Sequence, residues 1–316
     1  MHKEPLDMLQ QLSDFYRDNS ELYSSFDINS YEQLTASEMA QFVLSVPQKL
    51  DVVLEDKSLE ITPLGSFEIW SENLFRIEKD VVRTDRNHSF YPSIETSDPS
   101  EMISKCPKMG LLRDILMTFT SSFPNNEPGF VQGMADLCSP LLIHIEDESE
   151  AFWCFAGLMN KKKENFNNDG AGIKRQLELL RKLLKVMDLP LYTKLNEIGS
   201  MNLFCAFRWI LVLFKREFPF EQTMKLWDTC FSNYYSTDFH IFICLTIFET
   251  HRNEIIGHIE DTDELLCFIH GLSNKMDSDA ILASAEDLFL QFKKICKAQG
   301  CLQEGRLDLE KVLGSF

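Results

Sequence analysis

Two short segments of this sequence carry side chains that could act on a charged ligand. The first is Ile77-Glu78-Lys79-Asp80-Val81-Val82-Arg83-Thr84. On a helix, Ile77, Asp80 and Arg83 stand at successive i, i+3 positions and are neighbours on one face. Ile77 would anchor the turn in the core. Asp80 would pair with Arg83, or with a nearby donor, and hold the guanidinium ready. The competing reading is a solvated helix end with a surface ion pair contributing under about 1 kcal/mol, and charge pattern alone favours it. The second segment is Gly129-Phe130-Val131-Gln132-Gly133-Met134-Ala135-Asp136. Pro128-Gly129 marks a loop, and the apolar series Val131, Met134, Leu137, Leu141 and Leu142 marks a helix beginning there. That places Gln132 in a first helical turn, where backbone N–H groups are free and a side chain can reach a docked neighbour. Gly133 leaves that surface open to close approach. The competing reading is a polar residue that fixes the loop.

Other candidates are weaker. His240 and Cys244 share a helix face at i, i+4, a spacing that suits a metal-ligand pair, but no second pair accompanies them and core packing is the better reading. Gly170-Ala171-Gly172 ahead of Lys174 and Arg175 could hold an anion at a helix start; two glycines are a weak signal, and a flexible start to the helix explains them. No GxxxxGK[ST] occurs, so the chain is not expected to bind GTP as a GTPase does. No Ser/His/Asp motif context suggests a hydrolase.

The elements that would position these residues are helical. Leu111, Leu112, Ile115, Leu116 and Phe119 recur at helical spacing, as do Phe152, Phe155, Leu158 and Met159. Further amphipathic helices are expected over 173–187, 201–217, 220–231, 238–256, 262–273 and 278–297. Asp147, Thr237 or Asp238, and Asp277 or Ser278 are candidate caps. The aromatic residues Trp153, Phe155, Phe204, Phe207, Trp209, Phe214 and Trp227 read as core. Lys161-Lys162-Lys163 and the stretch 165–172 read as one exposed inter-helix loop. Before residue 70, helices are expected near 5–17 and 31–44, with a short hairpin over 51–62.

A chain of 316 residues with 44% apolar content can bury a sizeable core. Lys and Arg number 31 against 49 Asp and Glu, a net charge of −18. Such a chain gains no general attraction to phosphate backbones or anionic lipid, which argues against nucleic acid and passive membrane binding. The residues Met1-His2-Lys3-Glu4-Pro5 begin no apolar run of the kind expected of a signal peptide, and no stretch reaches the roughly 18 apolar residues expected of a membrane span. The nine cysteines have no regular spacing. Cys138, Cys154, Cys205, Cys230, Cys244 and Cys267 lie among apolar neighbours and read as buried, reduced thiols.

Taken together, Ile77-x-x-Asp80-x-x-Arg83 followed some fifty residues later by Phe130-x-Gln132-Gly133-Met134 resembles the paired motifs of the TBC-domain Rab GTPase-activating proteins. The likeness extends to Thr84-Asp85-Arg86, Ser139-Pro140-Leu141-Leu142, Ala151-Phe152-Trp153-Cys154-Phe155, Phe207-Arg208-Trp209, Phe214-Lys215-Arg216-Glu217-Phe218 and Lys225-Leu226-Trp227-Asp228. It is nearest to the Gyp-seven-type subgroup. The resemblance implies an all-α fold with a TBC domain over 71–298, a divergent, partly helical region over 1–70 and a C-terminal tail over 299–316. It implies that Arg83 and Gln132 are an arginine and a glutamine finger offered to GTP on a Rab-family GTPase. Ile77, Asp80, Thr84, Phe130, Gly133 and Asp136 would be their supporting or partner-binding residues.

The residue types fit that chemistry. Phosphoryl transfer needs charge stabilisation at the γ-phosphate and an oriented water. A planar guanidinium can contact two phosphate oxygens at once, which a lysine cannot, and a carboxamide both donates and accepts. By the same resemblance the chain is an activator with no metal site and no cofactor of its own: the GTP-bound Rab supplies GTP and Mg²⁺. It implies a cytoplasmic protein in vesicle trafficking, without an integral membrane segment and recruited transiently to endomembranes. Two departures stand out. The family's usual tyrosine is Phe130 here, so one hydroxyl is lost, and the Arg- and Trp-bearing helical segment expected ahead of the first finger has no counterpart in 1–70 unless Trp70 is its remnant. The competing readings are a catalytically weak or inactive Rab-binding scaffold of the same fold, and a structural helical scaffold with no GTPase partner.

Overall fold

Aspartate starts many of these helices. Asp98, Asp147, Asp188, Asp261, Asp277 and Asp308 each accept a backbone N–H two or three residues ahead, from Ser100, Glu150, Leu191, Glu264, Asp279 and Lys311. Such a cap satisfies a donor that has no partner inside its helix and contributes about 1 kcal/mol. Part of the acidic excess therefore does local structural work. Asp147 and Asp277 cap as expected; Asp238 stands at the cap position of its helix without a capping bond from its side chain.

The computed structural model describes residues 63–92, 94, 96, 98–122, 129–167, 169–300 and 307–314. The helices expected near 5–17 and 31–44, and the hairpin over 51–62, lie outside these residues. Every element among the described residues is helical. They divide into two compact units, one up to Lys163 and one from Glu164 onward.

The first unit holds α1 (Pro63–Val81), α2 (Pro99–Lys105), α3 (Pro107–Ser122), α4 (Met134–Ile145) and α5 (Glu148–Lys162). α3 is its hub, packed against each of the others, and α1 also touches α2 and α4. Ile77 and Val81 of α1 are fully buried, as are Leu112, Ile115 and Leu116 of α3 and Leu137 and Leu142 of α4. Removing these side chains from water is the main force holding α1 against its neighbours, at about 1.5–3 kcal/mol each.

The second unit holds α6 (Ala171–Met187), α7 (Leu189–Glu197), α8 (Phe207–Leu211), α9 (Phe220–Phe231), α10 (Phe239–Thr250), α11 (Arg252–His258), α12 (Thr262–His270), α13 (Ser278–Ala298) and α14 (Leu309–Leu313). α10 runs through its centre between α6, α8 and α13. All residues from Phe239 to Phe248 are buried, His240 and Thr246 included, so α10 is enclosed around its whole circumference and is not amphipathic. The run expected over 238–256 is in fact two helices, α10 and α11. Leu309, Val312 and Leu313 of α14, in the stretch expected as a tail, are buried in the same core.

Several local expectations are corrected. No single helix spans 201–217: a 3₁₀ turn over Phe204–Ala206 leads into the five-residue α8, and Leu203, Leu213 and Phe214 adopt left-handed backbone. The chain bends there because Trp227 Nε1 donates to the Leu213 carbonyl at 2.8 Å, while Arg208 clamps the fully buried Glu217 at 2.6 and 3.0 Å. Phe204, expected in the core, is 60% exposed. Of the cysteines, Cys154 and Cys267 are exposed and Cys230 is half-buried, whereas Cys138, Cys205 and Cys244 are buried. Burial pushes the Cys205 thiol up to about 12, so it stays protonated.

The stretch after Lys162 is not an open loop either. Residues Lys163–Phe166 form a 3₁₀ turn in which Asn165 and Phe166 are buried. Gln176 Nε2 donates to Asn165 Oδ1 at 2.6 Å and to the Gly172 carbonyl at 2.9 Å, and Gln176 Oε1 accepts from His240 Nε2 at 2.6 Å. A Cβ on Gly172 would stand 2.4 Å from the Glu164 carbonyl carbon, so this glycine serves backbone approach and not an anion.

Candidate functional site

The site lies wholly in the first unit, where the end of α1 meets the turn that leads into α4. The last turn of α1 closes on Asp80: Thr84 N and Arg83 N both donate to its carbonyl at 3.1 Å, and Thr84 Oγ1 donates to it at 2.8 Å. Thr84 is buried, and Val81 and Val82 face the core. Arg83 therefore emerges just past the helix end with its backbone fixed. Its Nε donates to the Lys79 carbonyl at 2.8 Å and its Nη2 reaches Asp80 Oδ1 at 3.2 Å. The Arg83 side chain is 61% exposed while that of Asp80 is 5% exposed. One edge of the guanidinium is thus held, and the rest of the fork faces outward.

Asp80 has a second task. Its Oδ2 accepts the backbone N–H of Gly133 at 3.3 Å. Gly133 is the N-cap residue of α4, adopts φ 106° and ψ −17°, and has no capping side chain of its own. Asp80 supplies from α1 what the glutamate of a capping box would supply locally, and a carboxylate there is also favoured by the helix dipole. Asp136, buried in the first turn of α4, adds negative charge at the same end.

Met134 N donates to the Val131 carbonyl at 3.1 Å, closing a four-residue turn with Gln132 and Gly133 at its corners. The positive φ at the third position is that of a type II turn, which calls for glycine there. Gln132 consequently sits at the exposed corner of a turn ahead of α4 and not in the first turn of the helix, as the sequence suggested. Phe130 is 1% exposed, so the ring at the position of the family's usual tyrosine is buried.

The structure links Asp80, Arg83, Thr84 and Gly133 by hydrogen bonds, with Ile77 buried one turn earlier on α1, Gln132 and Phe130 beside Gly133 in the chain and Asp136 in the first turn of α4. Four further residues hold the set: the sequence offers Asp85 and Ser139 only as part of the family likeness, with no role, and Tyr91 and Asn73 not at all. Asp85, in left-handed backbone at φ 49°, accepts from Ser139 Oγ at 2.7 Å, and Tyr91 Oη lies 3.0 Å from the same oxygen. The segment following Arg83 is thereby tied to α4. Burial keeps the Tyr91 hydroxyl far above its ordinary pKa and neutral. Asn73 Oδ1 accepts the N–H of Phe130 at 3.2 Å. These partners lie about fifty residues apart, and no local pattern announces them.

The family model of the Rab-GTPase-TBC domain matches residues 66–256, more than half of the chain, and takes in the whole of this site. The chain belongs to the Rab-GTPase-TBC domain family. The TBC chain is 41% identical over 221 residues to the GTPase-activating protein gyp7 of Schizosaccharomyces pombe, covering 69% of this chain and 30% of that protein. It is 31% identical over 293 residues to human TBC1 domain family member 16, covering 92% of this chain and 36% of the relative. It thus spans about a third of the length of the curated relatives it matches. The crystal structure of the Ypt/Rab-GAP domain of Gyp1p matches with a TM-score of 0.59 at 20% identity, over 92% of this chain and 93% of that one, a likeness of fold. Among the described residues of the TBC chain no helix is long and apolar enough to cross a membrane, and no cluster of His, Cys, Asp or Glu could hold a metal ion.

Proposed function

We propose that this chain accelerates GTP hydrolysis on a Rab-family GTPase, with Arg83 and Gln132 acting on the nucleotide held by the partner. The observation that carries the reading is the Asp80 bridge: one buried carboxylate holds the Arg83 fork and the turn of Gln132 while both finger side chains face outward. Membership of the Rab-GTPase-TBC family supplies the partner class, and the names of the relatives agree with it.

The partner brings GTP and Mg²⁺, so this chain needs only to add what phosphoryl transfer still lacks. The outward edge of the Arg83 guanidinium stabilises charge on the γ-phosphate. The Gln132 carbonyl oxygen accepts a hydrogen bond from the attacking water while its NH₂ donates to a phosphate oxygen, which orients that water. Holding both groups in advance removes an entropic cost at the moment of docking. An arginine finger contributes roughly 10³–10⁵ in rate. The chain acts in the cytoplasm and meets its partner on endomembranes, where GTP-loaded Rab proteins reside. Single-turnover GTP hydrolysis across a panel of Rab proteins tests the proposal. Acceleration of at least one Rab, abolished in R83A and Q132A, supports it; equal rates for wild type and both variants refute it.

A further inference from the structure

We propose that Asn73 is a positioning residue for Gln132, acting through the backbone of the turn that carries it; this rests on the activator reading above. Asn73 is half-buried on α1, one helical turn before the fully buried Ile77. Its Oδ1 accepts the N–H of Phe130 at 3.2 Å. A Cβ on Gly129 would stand 3.2 Å from Asn73 Oδ1 and 3.3 Å from Nδ2, and Gly129 adopts φ 70°. A glycine is what lets the strand of chain before Gln132 lie this close to the amide.

Gln132 is therefore bracketed. On one side Asn73 fixes the N–H of Phe130, and on the other Asp80 fixes the N–H of Gly133. Both anchors come from α1, the helix just past whose end Arg83 emerges. One rigid element thus sets the arginine through its C-terminal turn and the glutamine through two side chains that grip the opposite segment. Without Asn73 the turn keeps its own Met134–Val131 closure but is tied to α1 at Gly133 alone, and the Gln132 corner can swing about that point. A group misplaced by about 1 Å in such a site loses up to about 100-fold in rate.

The test compares N73A, which removes the acceptor, with N73D, which keeps an oxygen at the Oδ1 position. N73A is expected to lower the single-turnover rate at saturating activator about tenfold, with little change in the half-saturating concentration. N73D is expected to stay near wild type. In a Q132A background N73A should cause no further loss, because there is no carboxamide left to position. Hydrogen exchange at the Phe130 amide, read by mass spectrometry or NMR, should quicken in N73A and remain slow in N73D. An unchanged rate for N73A beside an impaired Q132A overturns the role of Asn73 alone, as does an equal N73A defect in the Q132A background. A wild-type chain that accelerates no Rab overturns the activator reading itself.

Discussion

Asp80 accepts the backbone N–H of Gly133 through one carboxylate oxygen at 3.3 Å and holds Arg83 through the other at 3.2 Å. The two residues are 53 positions apart. This contact turns two unremarkable surface segments into one site, because each donor needs an acceptor and a single buried carboxylate serves both. An amide cannot replace it. Asparagine offers one acceptor oxygen, and its NH₂ would face a second donor. D80N is therefore expected to impair single-turnover activation about as severely as D80A, by at least about tenfold. Near-normal activity in D80N would show that the bridge does not position the fingers.

Gly133 carries the second prediction. At φ 106° a side chain is strained, at a cost of about 1–3 kcal/mol. G133A should lower the midpoint of urea unfolding and reduce activation more than its stability loss explains, since the Gln132 turn must change shape. Equal activity for G133A and wild type would contradict the type II turn.

A third prediction separates charge from shape at Arg83. Its Nε and Nη2 hold the Lys79 carbonyl and Asp80 while the rest of the fork faces out. Lysine keeps the charge but has no planar fork to do both. R83K should fall close to R83A in single-turnover assays; substantial activity in R83K would assign the effect to charge alone.

The second unit gives a stability test independent of function. Glu217 is fully buried against Arg208, and Ser273 Oγ donates to the same carboxylate at 2.8 Å. Removing Arg208 leaves a buried carboxylate without its cation, a loss of about 3–5 kcal/mol. R208A should unfold at markedly lower urea than wild type.

Glu249 supplies a pH dependence. Burial, together with neighbouring Asp188, raises its pKa above the ordinary carboxylate value despite the opposing pull of Arg252. A raised folded-state pKa means the folded chain holds this proton more tightly than the unfolded one. The associated stability is present below the ordinary glutamate pKa and is lost as pH rises through the folded value. E249Q, which mimics the protonated form, should gain stability relative to wild type at neutral pH, with the gap closing toward pH 4 in urea titrations.

Local signals were legible in the sequence and distant ones were not. The i, i+3 spacing of Ile77, Asp80 and Arg83 and the caps at Asp147 and Asp277 are set by neighbours within a turn, and the structure keeps them. The position of Gln132 depends on a turn whose left-handed corner at Gly133 is one of two ways to use a glycine, and periodicity does not choose between them. Asn73 with Phe130 and Asp85 with Ser139 are pairings across the fold, invisible until the helices pack. The break in 201–217 has the same origin: Trp227 and Glu217 take polar groups that a continuous helix would have used or exposed. Cys154, Cys267 and Phe204 had apolar neighbours in sequence, which says nothing about which face of a turn meets water.

The most direct test of the central claim is single-turnover GTP hydrolysis by a responsive Rab protein, measured with wild type, R83A, Q132A and the double variant. A rate rise of roughly 10³-fold or more with wild type, largely lost in each single variant and not lost much further in the double, is the predicted result. Rates for R83A and Q132A equal to wild type would contradict it.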